Sequence, residues 1–207
     1  MKKIMFNNKY GLTKAVLEGR KTMTRRIILD ELMGRYEDMC RLGTPLKTKE
    51  EFLLEHSRYQ IGEVVAVAQN YDEVFDEFAT IVYLQDKPVP DNFKAFGRHS
   101  DVTLPRTMPG WENKMFVRAD LMPHQIRITG VRVERLQDIS DEDCIREGIY
   151  EDCPGVQYSY PTKNGYCGQY PFDSPRTAFA ALFDKLSGKG TWDSNPYVHV
   201  YDFELVK

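Results

Sequence analysis

Residues 125–136 read "QIRITGVRVERL". Ile126 and Ile128 alternate with polar neighbours, the period-two pattern of a strand with one covered face. Beyond Gly130 the apolar positions become Val131 and Val133, one residue out of phase. A one-residue slip at a glycine reads as a β-bulge, and a bulge lets a strand bend round a barrel. The segment therefore predicts a curled, mainly antiparallel sheet.

Working outward, "DISDEDCIREG" at 138–148 reads as a helix. Ser140 and Asp143 stand at capping-box spacing, and Gly148 closes the helix. Further strands are expected in "KKIMF" (2–6), "GEVVAVAQ" (62–69), "FATIVYL" (78–84), "KMFVRA" (114–119) and "YVHVYDFELV" (197–206), the last with Tyr201, Phe203 and Leu205 on one face. Helices are expected from Leu12 to Leu17, ended by Gly19, and after Ser174 and Pro175 as N-cap and first helical residue, with Phe179, Leu182, Phe183 and Leu186 as an apolar stripe. Residues 30–60 are charged and weakly periodic, which suggests short surface helices. Lys87 to Gly110 reads as a long irregular connection, and 150–173, rich in Tyr, Gly and Pro, as an ordered surface loop. Strands scattered among a few helices place the chain in the α+β class.

No Pro/Gly/Ser-rich linker divides the 207 residues, so a single domain over 1–207 is expected. A 42% hydrophobic content is that of a folded chain, and the balance of 28 basic against 31 acidic residues argues against gripping long duplexes by phosphate neutralisation alone. No apolar run is long enough to span a bilayer, and the charged opening "MKKIMFNNKYG" lacks the apolar stretch of a signal peptide. A cytoplasmic protein without a membrane partner is the expectation. Cys40, Cys144, Cys153 and Cys167 form no C-x-x-C pair, and no two histidines stand at H-x-x-x-H spacing; neither a metal nor a disulfide framework is predicted, and no cofactor is implied.

Residues 19–26, "GRKTMTRR", concentrate Lys21, Thr22, Thr24, Arg25 and Arg26 in one turn. A helix-ending turn needs only its glycine, so this cluster is the first candidate for a site that binds something polar.

The pattern Gly19, Lys21, Thr24, Arg26 resembles the G-x-K-x-x-T-x-R signature of ASCH domains, a PUA-like β-barrel superfamily linked to RNA and modified nucleotides. "VRVERLQDISDEDCIREGI" (131–149) and "GTWDSNPYVHVYDFELV" (190–206) are similar to the longer ASCH proteins of phages and prophages. The resemblance implies a mainly antiparallel barrel with flanking helices, and long insertions at about 30–60, 85–110 and 150–173. The superfamily includes a small bacterial amidohydrolase that removes the acetyl group from N4-acetylcytidine with a Lys, a Thr and a Glu. Matched position by position, these fall on Lys21, Thr24 and Glu147, the last counted from Leu136 through Ile139 and Ser140.

What the resemblance implies is a binder of a nucleoside, nucleotide or modified base, with amidohydrolysis of an N-acylated pyrimidine nucleoside as its specific form. Lys21, Thr24 and Glu147 would be catalytic; Gly19, Arg25, Arg26 and Trp192 would contact the ligand, with Asp143 further out. Two alternatives stand beside it: a non-catalytic reader of single-stranded RNA or DNA, with Lys21, Arg25 and Arg26 on phosphate and loop aromatics on bases, and a phage accessory protein acting through a protein partner.

Overall fold

A computed structural model describes residues 1–43, 47–71, 73–74, 114–115, 117–153, 155–162, 165–166 and 172–206. The expected strand at 78–84, the connection at 87–110 and Cys167 lie outside them. The described chain is mixed α and β. Its main sheet has five strands in the order β1-β3-β4-β9-β2: β1 (Lys3–Ile4), β2 (Met23–Ile27), β3 (Val64–Val67), β4 (Gln125–Arg135) and β9 (Tyr197–Val206). β1 and β3 are parallel. β2 and β9 are antiparallel, and so is β4 to β9, since Arg127 reaches Glu204 while the Leu136 amide reaches the Pro196 carbonyl. Among the described residues no strand pairing joins β1 to β2, so the sheet is open there rather than closed into a barrel.

Two compact units form, each from non-contiguous stretches, which is why no single linker marks a boundary in the sequence. The first comprises 1–6, 64–126 and 206–207. Its core gathers Ala66, Ala68, Val74, Val117, Leu121 and Met122. Lys3 Nζ donates to the carbonyls of Lys114, Met115 and Val117 at 3.1, 2.6 and 2.7 Å. This ammonium gathers the backbone where the sequence suggested a strand at 114–119. The described residues there form a turn and, at Ala119–Leu121, one turn of 3-10 helix; the carbonyls of Lys114, Met115 and Val117 face a lysine instead of a ladder.

The second unit comprises 7–63 and 127–205. Helix α1 (Leu12–Leu17) has the predicted bounds, and Gly19 follows its end at φ +72°, a left-handed conformation that glycine adopts without strain. Helices α2 (Asp30–Arg41) and α3 (Lys49–Glu55) occupy the charged stretch; α3 is more than a surface helix, since Phe52 and Leu53 are buried against Ile28, Val133 and residues of α2. Helix α4 (Asp141–Arg146) is capped by Ser140, whose Oγ accepts from the Asp143 amide. Helix α5 (Pro175–Ser187) buries Phe179, Leu182 and Phe183 as expected, whereas Leu186 at the end of the stripe is exposed. Helix α6 (Thr191–Ser194) follows.

Residues 150–173 are not a plain loop. They hold two short ribbons, β5 (Tyr150–Cys153) with β6 (Gln157–Ser159) and β7 (Pro161–Thr162) with β8 (Gly165–Tyr166). Tyr160 between them is buried, edge-on to Tyr10 and against Phe172, so at least this tyrosine serves packing.

β4 continues through Gly130, and the glycine there makes room for a neighbour. A Cβ there would lie 3.0 Å from Asp202 Oδ2 and 3.3 Å from Asp202 Cβ. Gly130 leaves room for a carboxylate on the neighbouring strand. The change of apolar phase follows from two covered faces: Ile126 and Ile128 are buried on one, and Val133 packs on the other with Phe52, Leu53 and Tyr197. β9 departs from a one-faced pattern for the same reason. Flanked by β4 and β2, it buries Val198, His199, Val200 and Tyr201 consecutively, and Leu205 is exposed.

Candidate functional site

The turn after α1 is folded back on the helix. The Ala15 carbonyl accepts from both the Arg20 and Lys21 amides, each at 2.9 Å, which aims the Lys21 side chain inward. Thr22 then ties this turn to two other elements: its amide donates to the Arg146 carbonyl and its carbonyl accepts from the Phe203 amide. The end of α4 thus lies beside the start of β2. Glu147 caps that helix, and Gly148 follows at φ +105°. A Cβ on Gly148 would meet Leu12 Cδ2 at 3.4 Å and Lys21 Cδ at 3.6 Å, so the bare backbone lets Lys21 pass close by.

Lys21 and Glu147 meet. Lys21 Nζ donates to Glu147 Oε2 at 2.5 Å and to the Glu147 carbonyl oxygen at 2.7 Å. The two residues are 3% and 5% exposed, which makes this a buried ion pair between positions 126 apart. Burial away from water lowers the pKa of the Lys21 ammonium below its ordinary value; the Glu147 carboxylate pulls the other way without cancelling it, and the charges of Arg26 and Arg25 add to the lowering.

Arg25 completes the pair. From β2 its guanidinium donates to Glu147 Oε1 at 3.2 Å, to Asp143 Oδ2 at 3.1 Å and twice to Glu134 Oε1, at 3.0 and 2.5 Å. Its side chain is inaccessible to solvent. Burial works against its charge, but Glu147, Glu134 and Asp143 more than offset that and raise its pKa. Toward the surface, Arg132 binds Glu134, Asp143 and Asp202 at 3.0, 2.7 and 2.7 Å. Arg146 also joins Asp143 and Asp202. Asp143 therefore turns its carboxylate to three arginines instead of back to the helix start, and the expected capping box is only half made.

Strand alternation separates the other members of the turn. The register pairs Met23 with Asp202, Thr24 with Tyr201, Arg25 with Val200 and Arg26 with His199. Directly paired residues share a face and successive ones alternate, so Thr24 and Arg26 lie opposite Arg25. On the Thr24 face, Tyr201 shares a hydrogen bond with Ser57 Oγ at 2.9 Å, Tyr59 stands edge-on to Tyr201, and His199 Nε2 donates to the Leu53 carbonyl at 2.8 Å. Thr24 is buried, and its hydroxyl bonds to no group among the described residues. Arg26 is exposed.

Each predicted residue has a definite place. Lys21 and Glu147 come together, with Asp143 nearby. Arg25 belongs to the same cluster, but as a buried cation among carboxylates and not as a surface contact for phosphate. Gly19 serves the turn. Trp192 packs edge-on against Phe179, with the Arg176 guanidinium 5.4 Å from its ring, and its backbone is held by Gln137 and Asp184. Glu134, Arg132, Arg146 and Asp202 were not singled out from sequence. The signal was present in Arg132 and Glu134, which at spacing two share the face that Ile126 and Ile128 bury.

Among the described residues no group of three or more His, Cys, Asp or Glu side chains is arranged to hold a metal ion, and no helix is long and apolar enough to cross a membrane. Compared with known protein families, characterised proteins and solved structures, the chain matches none.

Proposed function

We propose that the protein binds a nucleoside, nucleotide or modified base at the turn after α1, as ASCH-type PUA-like proteins do, and hydrolyses the amide of an N-acylated pyrimidine nucleoside there. The observation that carries this reading is the buried Lys21–Glu147 pair, with Nζ 2.5 Å from Oε2 and the ammonium's pKa lowered by burial. Amide hydrolysis needs a base for the attacking hydroxyl and an acid for the departing amine. Burial, which lowers the Lys21 pKa, favours its use as both. The fraction of Lys21 that has released its ammonium proton to solvent takes the proton as a hydroxyl oxygen forms its bond to the acyl carbon. As the carbon–nitrogen bond breaks, Lys21 returns the proton to the cytosine amine. Glu147 keeps the ammonium in place between these steps. The resemblance gives the hydroxyl to Thr24, but alternation along β2 turns that side chain to the face opposite Arg25 and the pair it holds, so the attacking hydroxyl in this reading is a water's and the acyl group leaves as the free acid.

The test is incubation with N4-acetylcytidine and chromatographic detection of cytidine. Turnover abolished by Lys21→Met and Glu147→Gln, with folding retained, is the expected result; no turnover by the native protein removes the hydrolytic reading. Exposed Arg26 favours the reader of single-stranded nucleic acid as the second reading. Salt-sensitive oligonucleotide binding that weakens on Arg26→Ala, without turnover, is its signature.

A further inference from the structure

We propose that Arg25 is a positioning residue of the Lys21–Glu147 pair: it holds Glu147 by one carboxylate oxygen so that the other stays on Lys21. The inference rests on reading that pair as the working groups of the site, but its test needs no substrate.

The geometry divides the Glu147 carboxylate between two cations. Oε1 receives Arg25 at 3.2 Å and Oε2 receives Lys21 at 2.5 Å. Arg25 is in turn fixed from two further points, by Glu134 on β4 and by Asp143 one helical turn before Glu147 on α4. A planar guanidinium reaches three carboxylates at fixed angles; an ammonium on a flexible stem does not. With Arg25 braced in this way, Glu147 cannot rotate toward Lys21 with both oxygens. The charged or titratable groups acting on Lys21 include Glu147 from the end of α4 and Arg25 and Arg26 from β2. Those acting on Arg25 are Glu134, Asp143 and Glu147, with the buried Cys144 thiol close by. A lattice that served stability alone would leave the Lys21 proton indifferent to the shape of its neighbour.

The experiment follows the Lys21 amine by NMR of lysine-labelled protein through a pH titration, in the native chain and in Arg25→Lys and Arg25→Gln. Arg25→Lys keeps the charge and loses the fork. The expected result is that both variants raise the Lys21 midpoint, by about one unit or more, because the released carboxylate turns wholly to Lys21. A native midpoint in Arg25→Lys beside a raised one in Arg25→Gln overturns the proposal, since charge alone would then suffice. Midpoints unmoved in both overturn it as well.

Should the Arg25 variants not fold, Asp143→Asn carries the test from the partly exposed end of the brace. Freed from Asp143, Arg25 draws more of Glu147, and the Lys21 midpoint falls; an unmoved midpoint counts against positioning. Absence of turnover on N4-acetylcytidine leaves these outcomes as they are, so the two readings fail separately.

Discussion

Lys21 Nζ lies between two oxygens of one residue, the Glu147 carboxylate at 2.5 Å and the Glu147 carbonyl at 2.7 Å. The carbonyl belongs to the last turn of α4, so the contact fixes backbone as well as side chain. Removing one partner from a buried pair strands the other charge. Glu147→Gln is therefore expected to cost about 3–5 kcal/mol in denaturant unfolding, and Lys21→Met combined with Glu147→Gln to cost clearly less than the sum of the single changes. Additive costs would show that the two groups are not coupled.

The pH dependence has a definite sign. The folded-state pKa of Lys21 is lowered by burial, so between that value and the ordinary lysine value the unfolded chain holds the additional proton. Stability contributed by this group rises with pH across the window. Measured as native minus Lys21→Met, so that other lysines cancel, the difference in melting temperature should move in favour of the native chain from neutral pH to about 10. Movement the other way would mean that Glu147 outweighs burial.

Gly130 leaves a side chain little room while Asp202 stays in place. A Cβ 3.0 Å from Asp202 Oδ2 displaces a carboxylate held by Arg132 and Arg146. Gly130→Ala is expected to cost about 1–3 kcal/mol, and less in an Asp202→Ala background. Equal costs in both backgrounds would place the strain elsewhere, in the backbone of β4.

The cysteines should separate by alkylation. Burial pushes the Cys144 thiol up to about 12, whereas Cys40 and Cys153 are exposed. Under mildly alkaline conditions iodoacetamide should modify Cys40 and Cys153 and spare Cys144 until the protein is unfolded, as read by peptide mass spectrometry. Early modification of Cys144 would reveal local opening of α4, and with it of the Lys21–Glu147 contact.

How far the site is readable in the sequence depends on what each residue answers to. Gly19, the end of α1 and the inward turn at Lys21 follow from local chemistry. The match of Glu147 to Lys21 came by resemblance, and the fold brings the two together. Arg25 and Arg26 look like a pair because they are adjacent, yet on a strand adjacency means opposite faces; one becomes a buried brace and the other stays at the surface. The two ribbons within 150–173 have strands of two to four residues, too short for an alternating pattern to stand out. Gly130 reads as a bend in the sequence, and its second role is not legible there, because the side chain it makes room for lies 72 positions further along the chain.

The ionic lattice sets Lys21, Arg25, Arg132 and Arg146 against Glu134, Asp143, Glu147 and Asp202, four charges of each sign. Within these ion pairs the charges balance, and Arg26, whose charge also acts on Lys21, adds one more, so attraction into the solvent is weak beyond a Debye length of about 8 Å. Whatever settles beside the lattice arrives by unguided diffusion and stays by shape and hydrogen bonding. Encounter with an uncharged molecule should therefore proceed at nearly the same rate in dilute buffer and in concentrated salt.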